Sequence, residues 1–316
     1  MHHLYTTYGD YRWNTEASYV AGTEHSYSRQ VKKPISSCMA FAHANVIAVM
    51  ATDAFTALKA ARPALAFAMF PDHDKDAKWR DSLIAMAIAS FARPSNLRDN
   101  TSVNGISVSV RLPGTNANED GTVTNHGIVN PDYTQNVQHL WWAATLLRAG
   151  RQSVPEALFL NTDIVYRALA VVEFASPPYA APGGTVYAPG GQIYYPMGVS
   201  WGIRRPATFV GVDAFANLYS APDTNAGTFL AAHAYDTRAL QMRFRSGRIY
   251  AAGQEEESYR RGREEYALQQ VALAWWAGAW KANGASMQVD TTAYPWVRLH
   301  TGYALDETGP FQAKWA

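Results

Sequence analysis

The sequence contains little cysteine, little net charge and no long apolar run. Cys38 is the only cysteine among 316 residues, which excludes an intrachain disulfide and a cysteine-rich zinc site. Charged residues make up 17% of the chain and sum to +1, so the chain has no bulk attraction for a nucleic-acid backbone or an anionic membrane surface. No apolar stretch is long enough to span a bilayer. We therefore expect neither a nucleic-acid partner nor a membrane partner.

Signature motifs of several enzyme classes are also missing. The patterns GxGxxG, GxxxxGK[ST], HExxH and GxSxG do not occur, which argues against dinucleotide binding, a P-loop, a zinc protease and an α/β-hydrolase. The run from Asp72 to Asp76 imitates the first ligands of an EF-hand loop, but Ala77 stands where that loop needs glycine. The acidic run 255–257 is better explained as a charged first helical turn. We expect no metal and no cofactor.

Aromatic residues, in contrast, are plentiful, with 10 Trp, 18 Tyr and 12 Phe. A hydrophobic content of 48% indicates a folded chain with a sizeable core. The tyrosines are densest near the start of the chain and between residues 179 and 195, in regions without helical spacing. Flat rings with a polar tip suit sugar faces and hydroxyl groups. Packing of loops on the core explains the same enrichment equally well.

Apolar residues recur at helical spacing in seven segments, which predicts a mainly α fold. The segments are 39–62, 76–92, 131–149, 155–175, 206–220, 226–246 and 254–282. Pro63 is expected to close the first of them. Long polar loops follow alternate helices, as in an array of helical hairpins whose long loops face one end. This pattern favours an α/α toroid, an incomplete barrel of helical hairpins, over two packed helical bundles.

We expect residues 1–316 to form a single helical domain with irregular ends. Residues 1–38 are polar and aromatic without a sustained period, and residues 283–316 contain no clear helix. The run ISVSVRL at 106–112 alternates as a short strand does. The first residues lack a basic stretch followed by an apolar one, so no signal peptide is expected within this chain. The sequence indicates no particular oligomeric state.

The strongest candidate for a chemical centre is the segment 119–139, EDGTVTNHGIVNPDYTQNVQH. Asn125 and His126 are adjacent just before a predicted helix, and Gly127 allows close approach of a ligand to the backbone. Tyr133 follows in the first helical turn. An Asn amide or an Arg guanidinium binds a carboxylate, while His and Tyr exchange protons with a substrate. A capped loop in which His126 bonds only to backbone explains the same residues about equally well.

A second candidate strip lies at 190–206, GGQIYYPMGVSWGIRRP. Its adjacent arginines, Arg204 and Arg205, can hold a carboxylate in bidentate fashion, although ion pairs with a neighbouring helix would also explain them. A tryptophan in such a loop can stack on a sugar ring. The predicted substrate-binding residues are Gln192, Tyr194, Trp201 and Arg205, with Asn14 and His25 from the N-terminal segment.

The run DGTVTNHGIVNPDYT, followed by a helix, resembles the catalytic loop of the α/α-toroid polysaccharide lyases. These are the hyaluronate, chondroitin and xanthan lyases and the heparinase II/III and alginate lyase relatives. The resemblance covers residues 119–145 and, loosely, the helical rhythm of the chain. It implies that Asn125 neutralises a uronate carboxylate, that His126 is the base and that Tyr133 is a candidate acid.

The resemblance also implies that Arg204 or Arg205 assists the reaction. In the heparinase and alginate relatives, which pair Asn with His as this chain does, the catalytic tyrosine comes from a later loop. Tyr194 and Tyr195 therefore compete with Tyr133 for the role of acid. Those families carry large β-sheet domains after the toroid, for which this chain has little room. We therefore expect either a minimal toroid or a truncated one, whose tail at 283–316 would lead to a missing β domain.

The implied activity is that of a carbon–oxygen lyase that cleaves an acidic, uronic-acid-containing polysaccharide by β-elimination. Such a substrate implies a secreted or periplasmic enzyme whose leader is not part of this chain. One alternative is a glycoside hydrolase on the same scaffold, which needs a pair of carboxylates. The candidates for that pair are Glu16, Asp120, Asp132, Asp213 and Asp236. A second alternative is a non-catalytic carbohydrate-binding domain, for which the aromatic loops suffice.

Overall fold

The structure is a computed structural model of the chain. It describes residues 56–112, 114–199, 205–220, 222–245, 249, 263–283, 302–305 and 312–315. The chain divides into two compact units, one of Met1–Ala48 with Ser286–Ala316 and the other of Val49–Ala285. The second unit contains all the described helices and the candidate site.

Eight α-helices are described, and they make the protein mainly α-helical. They are α1 (Thr56–Met69), α2 (Asp76–Ser90), α3 (Pro131–Thr134), α4 (Gln138–Ala149), α5 (Thr162–Ala170), α6 (Val210–Tyr219), α7 (Ala226–Met242) and α8 (Arg263–Asn283). Short 3-10 turns cover Pro94–Arg98, Val108–Arg111, Gln135–Val137, Glu156–Phe159, Pro189–Gly191, Pro206–Thr208 and Pro222–Thr224. None of the described helices is long and apolar enough to cross a membrane.

The described strands form only short antiparallel ribbons. They are β1 (Ser102–Val103) with β2 (Ile106–Ser107), β3 (Thr124–Asn125) with β4 (Ile128–Val129), β5 (Glu173–Phe174) with β6 (Gly184–Thr185), and, in the first unit, β7 (Gly302–Leu305) with β8 (Gln312–Trp315). The strand predicted at 106–112 is wrong beyond its second residue. From Val108 to Arg111 the chain forms a 3-10 turn instead, and the Leu112 backbone N–H bonds to the Ser109 carbonyl.

Packing between helices builds the core of the second unit. Helix α1 packs on α2 and α4, helix α6 packs on α7 and α8, and a contact between α4 and α6 joins the two groups. The contact faces are apolar at helical spacing, as Trp79, Leu83 and Met86 of α2 illustrate, all nearly inaccessible to solvent. Trp141 and Phe215 fill the corresponding positions of α4 and α6.

The prediction that Pro63 ends the first helix is wrong. Helix α1 continues from Thr56 to Met69 with Pro63 in its interior. An internal proline removes one backbone hydrogen bond and costs about 3 kcal/mol. Ala60, Ala64 and Phe67 are buried on both sides of it, so packing of the whole helix outweighs that cost. The part of the predicted segment before residue 56 lies outside the described residues.

Candidate functional site

His126 and Gly127 form the two-residue tip of a β-hairpin. Thr124 pairs with Val129 and Asn125 pairs with Ile128, which leaves only these two residues in the turn. Their φ angles are 53° and 78°, and a type I′ hairpin turn needs positive values at both positions. Glycine adopts this conformation freely, whereas a histidine is destabilised in it by roughly 1–2 kcal/mol. His126 is nevertheless found there, with its side chain exposed.

The chain leading into the hairpin is tightly held. The Asp120 carboxylate accepts hydrogen bonds from the backbone N–H and the hydroxyl of Thr122, at 2.9 and 2.7 Å. Gly121 lies so close to helix α5 that a Cβ there would be 2.7 Å from the carbonyl carbon of Ile164. Glu119 forms an ion pair with Arg93 at 3.0 Å. These contacts give the hairpin a fixed base, although its tip is exposed.

Helix α3 begins directly after the hairpin and brings Tyr133 under its tip. The Asn130 side chain caps the helix by accepting a hydrogen bond from the Asp132 backbone N–H at 3.1 Å. The Tyr133 hydroxyl lies 3.5 Å from Nε2 of His126, and the two rings meet edge to face with centroids 6.1 Å apart. Tyr133 is 5% exposed. The predicted histidine and tyrosine thus lie next to each other, at the outer limit of hydrogen-bond distance.

Asn125 is half-buried beside this pair. Its Oδ1 is buried and has no hydrogen-bond partner in the structure. Leaving a buried polar atom unsatisfied costs about 1–3 kcal/mol. The unsatisfied atom is an acceptor, so a hydroxyl or N–H donor that reached it would remove that cost.

Asp132, the neighbour of Tyr133, forms a buried cluster with Tyr195 and Arg205. The Tyr195 hydroxyl donates to Oδ1 of Asp132 at 2.9 Å and accepts from the Arg205 backbone N–H at 3.1 Å. The Arg205 Nε lies 3.6 Å from Oδ2 of Asp132. Burial, and next the negative charge of Asp132, raise the pKa of Tyr195 well above its ordinary value. Tyr195 therefore remains a protonated hydrogen-bond donor.

Residues 190–206 contact the hairpin through Met197. Met197 accepts a hydrogen bond from the Val129 backbone N–H at its sulfur, at 3.3 Å. Tyr194 is buried and donates to the carbonyl of Ala180, within the same loop. Gln192 has an exposed side chain. Trp201, Arg204, Asn14 and His25, also predicted to act at the site, lie outside the described residues.

A second buried polar cluster, not predicted from the sequence, surrounds Asp213 of helix α6. Its Oδ1 accepts from the hydroxyls of Tyr166 at 3.0 Å and Tyr187 at 2.7 Å. Its Oδ2 lies 2.5 Å from Nδ1 of His233 in helix α7, and both residues are almost fully buried. Asp213 is the only acidic residue of helix α6, and His233 is the only histidine of helix α7. Nothing in the sequence indicated that the two meet.

A depression in the described surface lies away from these residues. It measures about 390 Å³ and is lined by Asn217, Asn225, Gly227 and Lys281, among others, and by none of the predicted site residues. The hairpin is the better candidate site, because it combines an exposed proton-transfer group with an unsatisfied polar atom. Within the described part of the chain, no group of three His, Cys, Asp or Glu side chains is arranged to hold a metal ion.

Comparison of the chain with protein-family models, with curated proteins and with solved structures found no match. A proposal of function therefore depends on the geometry and chemistry of the site.

Proposed function

We propose that this protein is a polysaccharide lyase that cleaves a uronic-acid-containing polysaccharide by β-elimination. One observation carries the proposal: His126 is exposed at a hairpin tip, in a backbone conformation unfavourable for histidine, with its Nε2 3.5 Å from the Tyr133 hydroxyl. A strained residue kept at an exposed turn is typical of functional sites. The pair has the two groups that a proton abstraction followed by a proton donation requires.

In the proposed reaction Nε2 of neutral His126 takes the proton from C5 of the uronate. The electron pair of the C5–H bond forms a double bond between C4 and C5, and the C4–O bond to the preceding sugar breaks. The leaving oxygen takes the electron pair of that bond and the proton of the Tyr133 hydroxyl. Transfer of the proton from His126 back to the Tyr133 oxygen, across the 3.5 Å gap, restores both groups. No water is consumed, and one product carries an unsaturated uronate.

The C5 proton becomes acidic enough only if the adjacent carboxylate is neutralised. Asn125 supplies an amide next to His126. Arg205 brings a positive charge to the beginning of helix α3, where Asp132 orients its guanidinium at 3.6 Å. Arg204, its neighbour in sequence, is a further candidate for the same task. These residues are the proposed carboxylate-binding groups.

Among the three candidate acids, the geometry favours Tyr133. The hydroxyl of Tyr195 already donates to Asp132, and that of Tyr194 donates to the Ala180 carbonyl. Tyr133 instead faces the proposed base directly. We therefore assign the proton donor to Tyr133 and a positioning role to Tyr195.

The proposed scaffold is an incomplete α/α toroid. Consecutive helices α1 and α2 pack together, as do α6 and α7, and such helical hairpins are the units of a toroid. A polymeric acidic substrate would be met outside the cytoplasm, so we propose a secreted or periplasmic enzyme. Of the carboxylates named for the hydrolase alternative, Asp132 and Asp213 are buried and already accept hydrogen bonds from tyrosines, which makes these two less suited to act on a substrate.

The proposal is tested by incubating the protein with a panel of uronate-containing polysaccharides. The ultraviolet absorbance of the conjugated double bond and the release of reducing ends are followed together. A lyase produces both signals in step, whereas a hydrolase produces reducing ends alone. Binding of a polysaccharide without either signal would instead indicate a carbohydrate-binding domain. Tyr133→Phe should remove both signals, and Tyr194→Phe, at a tyrosine whose hydroxyl bonds only within its own loop, should leave them within about twofold.

A further inference from the structure

Two buried tyrosine–carboxylate hydrogen bonds fasten the segment 186–195, here called the aromatic strip. The Tyr187 hydroxyl donates to Oδ1 of Asp213 on helix α6 at 2.7 Å. The Tyr195 hydroxyl donates to Oδ1 of Asp132 on helix α3 at 2.9 Å. One end of the strip is therefore tied to α6 and the other to the helix that carries the proposed acid.

The aromatic strip is a small hairpin. Tyr187 bridges to Ile193 across it, and backbone hydrogen bonds join Tyr194 N–H to the Val186 carbonyl and Ala188 N–H to the Gln192 carbonyl, at 2.8 and 2.9 Å. Two ends joined by such a ladder cannot move independently. A displacement at Tyr187 is thus transmitted to the other end of the strip.

The Asp213 end is strongly held. The carboxylate is inaccessible to solvent and is contacted by Tyr166, Tyr187 and His233, which come from helix α5, the strip and helix α7. Buried carboxylates are stable only when hydrogen bonds satisfy them. Burial also raises the pKa of Tyr187 well above its ordinary value, so its hydroxyl keeps donating at neutral pH. The cluster anchors the aromatic strip to the helical core.

We infer that Asp213 is a positioning residue for the candidate site. Through Tyr187 it fixes the position of the aromatic strip, and so of Tyr195. The hydrogen bond from Tyr195 to Asp132 then fixes the start of helix α3. Asp213 touches neither His126 nor Tyr133 and has no part in the chemistry itself. The effect of Asp213 on turnover rests on the proposed function. Its attachment of the aromatic strip through Tyr187 does not. The two can be tested separately.

The chain offers a matched pair of variants. Tyr166 and Tyr187 both donate to Oδ1 of Asp213, but only Tyr187 belongs to the strip. Tyr187→Phe and Tyr166→Phe each remove one hydroxyl and keep the ring. The Arg205 backbone N–H donates to the Tyr195 hydroxyl at the far end of the strip, so its hydrogen exchange reports whether that end is held.

We expect Tyr187→Phe to speed exchange of the Arg205 amide by about tenfold relative to the wild type, and Tyr166→Phe to change it less than about twofold. Equal exchange rates in the two variants, or no change in either, would overturn the inference. Asp213→Asn serves as a second variant, because it keeps one acceptor oxygen while weakening the bond to Tyr187, and it should give an intermediate exchange rate. A rate equal to that of the wild type would count against the inference.

Turnover gives the second readout. On the polysaccharide that the wild type cleaves, Tyr187→Phe should lower kcat about tenfold with KM changed less than about twofold, and Tyr166→Phe should leave both within about twofold. Unchanged kcat in Tyr187→Phe, with faster Arg205 exchange, would overturn the positioning role in the reaction. If the wild type cleaves no polysaccharide, the proposed function fails, and the exchange comparison still decides whether Asp213 holds the strip.

Discussion

The hydroxyl of Tyr133 and Nε2 of His126 lie 3.5 Å apart, although one belongs to a helix and the other to a hairpin tip. The two-residue turn sends the chain back over the beginning of helix α3, which starts at Pro131. An exposed imidazole thereby meets a phenol whose ring is buried. Neighbouring segments of the chain thus produce this pairing.

The backbone conformation of His126 leads to a prediction that separates function from stability. His126→Asn creates an Asn-Gly turn, the pair best suited to a type I′ hairpin. We expect the free energy of unfolding to rise by about 0.5–1 kcal/mol in urea titrations, since asparagine tolerates positive φ better than histidine. Turnover should fall at least about a hundredfold because the base is lost.

A loss of stability in His126→Asn would mean that the imidazole serves the fold. Normal turnover would remove His126 from the mechanism.

Two glycines near the hairpin differ in what surrounds them. Both have positive φ, but a Cβ at Gly121 would meet the backbone of Ile164, whereas a Cβ at Gly127 would meet nothing within 4 Å. We expect Gly127→Ala to lower the free energy of unfolding by about 1 kcal/mol, through its backbone conformation alone. Gly121→Ala should lower it by about 2–4 kcal/mol, because the hairpin base must also separate from helix α5. Chemical denaturation of both variants checks this, and equal losses would contradict it.

Tyr194 and Tyr195 are adjacent buried tyrosines with different hydrogen-bond acceptors. Tyr195 donates to the carboxylate of Asp132, and Tyr194 donates to a backbone carbonyl. Hydrogen bonds to charged groups contribute about 1.5–3 kcal/mol, against about 0.5–1.5 kcal/mol for neutral ones. Tyr195→Phe should therefore destabilise the protein about twice as much as Tyr194→Phe in the same urea titration. The reverse order would count against the Asp132 cluster as an anchor of the site.

Stability is expected to fall at alkaline pH. Burial raises the pKa values of Tyr166, Tyr187 and Tyr195 well above their ordinary value, so the folded state keeps protons that the unfolded state loses above about pH 10. Their stabilising contribution is complete below that pH and is lost as the pH rises toward the folded-state pKa values. Each contributes a slope of up to about 1.4 kcal/mol per pH unit.

Urea titrations between about pH 9 and about pH 11 measure this slope. Tyr166→Phe provides the control, since it removes one of the three phenols and should make the decline less steep. If the free energy of unfolding declined equally steeply with pH in the wild type and in Tyr166→Phe, the raised pKa of Tyr166 would be contradicted.

Local patterns in the sequence predicted most of the helices. The segment 76–92 corresponds to α2, Asp76–Ser90, because apolar spacing and a following proline act within a few residues. Pro63 was misjudged because packing on both sides of it, which is a tertiary effect, keeps α1 helical. The predicted toroid depends on how distant helices close on one another, and it stays a prediction.

The sequence predicted individual residues of the candidate site but not the contacts that join them. The grouping of Asn125, His126 and Tyr133 followed from their nearness in sequence. The hairpin was missed, since a His-Gly turn lacks the asparagine that usually marks a type I′ turn. The contact of Asp213 with His233 was also missed, because they lie 20 positions apart and only the packing of two helices joins them.

The most direct test of the central claim is the origin of the oxygen atoms in the products. The wild-type protein is incubated with the polysaccharide that it cleaves, in water labelled with a heavy oxygen isotope. The masses of the fragments are then measured by mass spectrometry. β-Elimination breaks the C4–O bond without water, so we predict fragments with no more label than the same fragments gain by reducing-end exchange without the protein. Each new non-reducing end should be lighter by one water than a hydrolysis product. One heavy oxygen per cleavage, or no cleavage of any uronate polymer, would contradict the account.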